Sequence, residues 1–137
     1  MVTIIKDLDN YVPVTVTELT TLSPVNYLME FKNKETKVSD YCLLGTNLSD
    51  HTDRYDEFLV HETVSPNPLL SEVDLVKGQY IYNIYELTND QVSALDFNNI
   101  DTSIYTVVEG NGEARVKGNP LVNTFYSPST TNTTYEG

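Results

Sequence analysis

The sequence predicts an all-β sandwich, and three observations carry that reading. Apolar and aromatic residues alternate with polar ones in run after run, turn signals recur roughly every 8–12 residues, and no stretch shows the 3.6-residue period of an amphipathic helix. About seven strands result.

Taken in order, residues 11–19 set Val12, Val14 and Val16 against Pro13, Thr15 and Thr17. Proline has no N–H to give a ladder, so this strand is expected at a sheet edge or to begin there. After a turn at Leu22-Ser-Pro-Val25, Tyr27, Met29 and Phe31 alternate with Leu28, Glu30 and Lys32. Asn33-Lys34-Glu35 turns the chain, and Thr36 to Leu44 returns, so residues 26–44 read as a hairpin. Gly45 to Asp56 is a long polar surface loop, and Tyr55 to Glu62 is a strand with Phe58 and Val60 on one face and Leu59 and His61 on the other. Pro66 and Pro68 end that ladder.

Residues 72–87 hold the clearest pattern. Val73 and Leu75 alternate with charged neighbours, Lys77-Gly78 interrupts, and Tyr80, Tyr82 and Ile84 then alternate with Ile81, Asn83 and Tyr85. This predicts two strands meeting at a short turn or bulge, with Tyr80, Tyr82 and Ile84 inward, because a buried Asn83 would need partners that an apolar core does not supply. Thr88 to Thr102 is expected to be a loop wrapping one end of the sheets, with at most one helical turn capped by Asn89 or Asp90. Ile104 to Val108 and Ala114 to Lys117 frame Glu109-Gly-Asn-Gly-Glu113, a hairpin signal. The pattern dissolves after Gly118. The expectation is one domain over residues 1–118 and an extended polar tail over residues 119–137.

An immunoglobulin-like antiparallel sandwich is the first expectation for the arrangement, although the Cys pair and core Trp of true immunoglobulin domains are missing; a jelly roll is the alternative. Ten Tyr and four Phe supply large buried areas, so 137 residues with 39% hydrophobic content can fold around one core without staples.

Composition restricts the function. Twenty acidic residues against eight basic ones leave a formal charge of −12, and no segment is basic enough to neutralise a row of phosphates, so direct nucleic-acid binding is not expected. An acidic surface suits a basic partner surface or simply solvent. Cys42, the only cysteine, lies in the apolar run Tyr41-Cys-Leu-Leu44 and reads as a small buried hydrophobe, which excludes an internal disulfide or a thiolate metal cluster. No window approaches the ~18 apolar residues of a membrane span. The first residues lack the basic and apolar regions of a secretion signal, so synthesis in a cytoplasm is expected.

Chemistry is weakly represented. Asp50, His51, Asp53 and Asp56 offer oxygen and nitrogen ligands in one loop, but their spacing lacks the alternate carboxylates and turn glycine of a calcium loop, which favours a solvated acidic loop. No nucleophile sits on a strand-to-helix elbow, and Gly110-Asn-Gly112 lacks the lysine and helix of a phosphate-binding loop. No enzyme, metal or cofactor is expected. Tyr80, Tyr82, Tyr85 and Tyr105 read as core and cross-strand pairs ahead of a sugar-stacking platform. The candidate site is therefore a set of partner contacts: Asp50, His51, Asp53, Arg54 and Asp56 in the loop, with Phe125, Tyr126 and Tyr135 as anchors spaced along the tail.

Four motifs occur in order: Tyr27-Leu-Met-Glu-Phe-Lys-Asn33, Arg54-Tyr-Asp-Glu-Phe-Leu-Val60, Pro66-Asn-Pro68 and Gly78-Gln-Tyr-Ile-Tyr-Asn-Ile-Tyr-Glu86. With the glycine-rich segment and the Thr/Asn-rich end that follow, the chain resembles small virion structural proteins of tailed phages infecting Bacteroidota, including the crAss-like phages. The similarity spans roughly residues 24–118 and rests on packing motifs. It implies a β-sandwich on a virion, an auxiliary or decoration protein of the head, assembled in the host cytoplasm. The implied partners are the major capsid protein or other virion proteins, with self-association on the particle as a further possibility, and there are no catalytic residues to carry over. A carbohydrate-binding adhesion module, or a neck or tail component, is the alternative.

Overall fold

The computed structural model describes residues 1–22, 25–45, 47–49 and 55–119. Their strands form two sheets, and the chain is an all-β sandwich. The larger sheet has five strands in the order β1 (Val2–Ile5), β8 (Thr106–Lys117), β7 (Gly78–Leu87), β3 (Asn26–Asn33) and β4 (Ser39–Leu43). The smaller has β2 (Asp9–Val14), β5 (Asp56–Glu62) and the two-residue β6 (Glu72–Val73). The order β8-β7-β3-β4 facing β2-β5 corresponds to the G-F-C-C′ and B-E strands of an immunoglobulin sandwich. The jelly-roll alternative does not have this order.

Alternation decides what enters the core. Val12 and Val14 of β2, Phe58 and Val60 of β5, Tyr27, Met29 and Phe31 of β3, and Tyr80, Tyr82 and Ile84 of β7 point between the sheets and are buried. Tyr27 and Phe58 meet edge to face across the two sheets, 5.7 Å between ring centroids. The expected inward set on β7 is therefore the observed one, and Pro13 does sit on an edge strand. Cys42 is fully buried, and burial pushes its thiol up to about 12.

Four expectations are corrected, and one strand was missed. Residues 109–113 are not a hairpin turn: β8 runs unbroken through them as a bulged strand. Tyr82 pairs with Gly112 and Ile84 with Glu109, so Gly110 and Asn111 together face Asn83. Asn111 takes φ 57°, and its N–H donates to Asn83 Oδ1 at 2.9 Å; the left-handed tolerance that suits Asn-Gly to a tight turn serves a bulge here. Residues 72–87 are not a pair of strands either, because β6 joins β5 in the other sheet while β7 lies at the centre of the larger one. The sheets are mixed: β1 runs parallel to β8, and β6 parallel to β5. Strand β1 was not foreseen at all, although Val2 and Ile4 alternate into the core. Finally, the short helix α1 (Asn89–Ser93) is capped by Thr88, whose side chain accepts from Gln91 N at 3.1 Å while Gln91 Oε1 accepts from Thr88 N at 2.8 Å.

The crossover 88–105, α1 included, folds over the outer face of the larger sheet. Val92, Leu95, Phe97, Ile100 and Tyr105 cover Leu28, Tyr85 and Leu87 in a second, smaller core. The strand β7 is thus buried on both sides toward its C-terminal end. Asn119, first residue of the expected tail, is itself buried, and the rest of the tail lies outside the described residues.

Candidate functional site

Of the residues expected to contact a partner, Asp50, His51, Asp53, Arg54, Phe125, Tyr126 and Tyr135 lie outside the described residues. Asp56 does not belong with them, because it is fully buried at the start of β5. Its Oδ2 accepts from Val16 N at 2.7 Å and Thr17 N at 2.8 Å, and its Oδ1 accepts from Asn47 Nδ2 at 2.6 Å and from the Thr17 hydroxyl. Burial pushes this carboxyl up, but these donors outweigh it and hold the group below its ordinary value. A polar residue at a strand start looked like the end of a surface loop; the inward phase of β5, shared with Phe58 and Val60, places it inside.

Asp56 and Glu86 together organise one end of the sandwich. Glu86, inward at the end of β7, accepts from Thr21 N at 2.9 Å, Thr21 Oγ1 at 2.9 Å and Leu22 N at 3.0 Å. The hydroxyls of Thr20 and Tyr27 meet at 2.6 Å. Asn47 Oδ1 in turn accepts from Ser49 N at 3.0 Å and Glu57 N at 3.1 Å. Segments 15–22 and 47–49 are therefore fixed to the sheets by buried carboxylates and an amide, with an open groove of about 730 Å³ between them, lined by Thr20, Leu22, Val25, Tyr27, Leu44 and Phe58 among others.

The opposite end repeats the device. Glu62, inward at the end of β5, accepts from Asp7 N at 2.7 Å, Leu75 N at 2.9 Å and Lys6 Nζ at 3.0 Å. Burial raises its carboxyl and these donors lower it further, so it stays ionised below the usual range. On the outer face of the larger sheet, Glu30 accepts from Ser39 Oγ at 2.7 Å, Tyr85 Oη at 2.8 Å, Asn83 Nδ2 at 3.1 Å and Tyr41 Oη at 3.3 Å. It too is buried, and it too is held low against its desolvation. Glu30, Glu62 and Glu86 were not singled out from sequence. A signal existed for two of them: Glu62 and Glu86 continue the inward phase of Phe58-x-Val60 and Tyr82-x-Ile84.

Other chemistry is sparse. His61 Nδ1 and Asp9 Oδ1 meet at 2.5 Å on the outer face of the smaller sheet. A cleft of about 400 Å³ beside β4 is lined by Asp40, Glu72, Asp74, Phe97 and Ile100 among others, and burial together with the charge of Asp74 raises the Asp40 carboxyl. Among the described residues no group of three His, Cys, Asp or Glu is arranged to hold a metal, and no helix is long and apolar enough to cross a membrane. Tyr80, Tyr82 and Tyr85 are buried, so these three do not form an exposed stacking platform.

No family model, no curated protein and no solved structure matches this chain.

Proposed function

We propose that this chain is a non-enzymatic structural protein of a phage virion, an auxiliary or decoration protein docked on the capsid shell. One observation carries the reading: Asp56 and Glu86 hold segments 15–22 and 47–49 in place, so the end of the sandwich that carries Asn47 and Asp56 is preorganised. A binding surface ordered in advance loses less conformational entropy on docking, which suits repeated attachment to a regular shell. The buried carboxylates serve as loop anchors, a structural use of groups that an enzyme would turn toward a substrate. The resemblance in residues 24–118 points the same way, and Asp50 and Asp53 with the aromatics Phe125, Tyr126 and Tyr135 supply contacts for a major capsid protein.

Particles purified from infected cells should contain the chain at high copy number, and the isolated protein should bind empty capsids. Deleting residues 119–137 should abolish incorporation while leaving the melting temperature of the domain nearly unchanged. Binding to host polysaccharide without binding to capsids would assign the chain to adhesion instead.

A further inference from the structure

The outer face of the five-stranded sheet is divided in two. Over its one half lies the crossover 88–105; the other half, around Ile81, is left uncovered. Cations outnumber acids on the uncovered half, where exposed Glu113 aligns with Ile81 and Glu35 stands with Lys34 and Lys77. Lys6 is paired with Glu62, and Arg54 lies outside the described residues. The remaining cations, Lys32, Lys34, Lys37, Lys77, Arg115 and Lys117, gather at the uncovered end, and none has an ion-pair partner among the described residues. Register brings them together: Lys32 aligns with Ile81, Lys34 N donates to Gln79 O, and Gln79 aligns with Arg115. Lys32, Lys34 and Lys37 line a shallow groove of about 250 Å³ with Ile81, Asn83 and Asn111.

The covered half has the opposite character. The crossover 88–105 contains no Lys, Arg or His, and it exposes Asp90, Asp96, Asp101 and Ile104, the last 63% exposed. The crossover packs over Leu28, Tyr85 and Leu87, and the basic groove opens on the part of the face it leaves. An acidic crossover with an exposed apolar residue and a mostly basic groove that includes Ile81 thus share one face of the sheet.

We infer that a second copy of this chain docks on this face about a two-fold axis, each acidic crossover seated in the basic groove of the other. A two-fold operation pairs the two halves twice and closes the assembly, whereas either half alone would give an open row. Exposed ion pairs are individually weak, so the contact depends on several acting together and on low salt. The overall charge of −12 opposes the approach of a second copy as it does that of a nucleic acid, so the occupant is chosen by the local match: a second copy brings an acidic crossover to the groove and a groove to the crossover, which a nucleic acid does not. The inference stands apart from the virion reading, since it concerns the free protein.

Sedimentation velocity of the full chain over a concentration series tests it. The wild type should form a dimer that dissociates as salt rises from about 50 mM to about 500 mM. The groove variant Lys32→Glu/Lys34→Glu/Arg115→Glu and the crossover variant Asp90→Lys/Asp96→Lys/Asp101→Lys should each associate at least about tenfold more weakly. Mixed one to one, the two variants should recover a dimer, because the face of one is then largely acidic and that of the other largely basic. A wild type that stays monomeric, groove or crossover variants that dimerise as the wild type does, or a mixture that stays monomeric would each overturn the inference. Binding of a DNA duplex of about 20 base pairs by a monomeric wild type, lost in the groove variant, would assign the groove to polyanions and overturn it equally. Where the lysine crossover variant fails to fold, Asp96→Asn/Asp101→Asn retains the local hydrogen-bond acceptors and should still weaken the dimer; no weakening would count against the contact.

Discussion

The ring of Tyr82 lies over the backbone of Gly112 on the neighbouring strand, where any Cβ would overlap it. The Tyr82 hydroxyl is tied to Glu109 Oε2 at 2.5 Å, so the ring is held there at both ends. An aromatic side chain covering a cross-strand glycine restores the packing that glycine lacks.

Gly112→Ala should therefore destabilise the fold by about 1–3 kcal/mol, the usual range for forcing a methyl group into a packed site. Gly110→Ala, whose added methyl meets Val107 Cγ1 at 3.3 Å at an exposed position, should change stability by under about 1 kcal/mol. Urea denaturation of both variants measures the contrast. Equal effects would mean that the Tyr82 ring moves aside freely.

Ile84 is fully buried between the sheets and Ile81 only half-buried on the uncovered outer face. Truncating Ile84 to Ala should remove about 2–5 kcal/mol, and truncating Ile81 about 1 kcal/mol. The same denaturation experiment reads the ranking, which must invert if the strand register is off by one residue.

Stability should fall in acid. Glu30, Asp56 and Glu62 each have a carboxyl lower in the folded chain than its ordinary value, so the folded state binds fewer protons. Their stabilisation is present above the ordinary carboxylate range, near pH 4, and is lost as pH falls through their folded values. Melting temperature measured from about pH 7 down to about pH 3 should drop steeply at the acid end. Glu30→Gln and Glu62→Gln should each lose about 1–3 kcal/mol at neutral pH, because buried donors lose a charged acceptor, and should show a shallower acid limb. A melting temperature independent of pH would contradict this account.

Cys42 supplies a probe of opening. Buried completely and with its thiol pushed up to about 12, it should resist a thiol reagent in the native protein and react fully in denaturant. Rapid native-state labelling at mildly alkaline pH would show that the β4 edge opens without global unfolding.

The faces of the strands were legible in the chain itself. Val12, Val14 and Val16, Phe58 and Val60, and Tyr80, Tyr82 and Ile84 alternate into the core as a period of two requires, and Pro13 marks an edge. The hairpin of β3 and β4 was legible as well, because its partners are close in sequence. Much less of the candidate site could be read, since Asp56 and Glu86 become anchors only when Val16, Thr17, Thr21 and Leu22 arrive from 39 to 65 residues away.

What the sequence determined by itself is which side of each strand is apolar and where the chain must turn. Tertiary structure decided the neighbours: β6 against β5 and not β7, β1 parallel to β8, and Gly110-Asn111 as a bulge inside one strand and not a turn between two. The reason is physical. Alternation is a property of adjacent residues and survives in any pairing, whereas a strand's neighbour depends on hydrogen bonds and side-chain contacts between segments far apart in the chain, which exist only once both sheets have closed on the core.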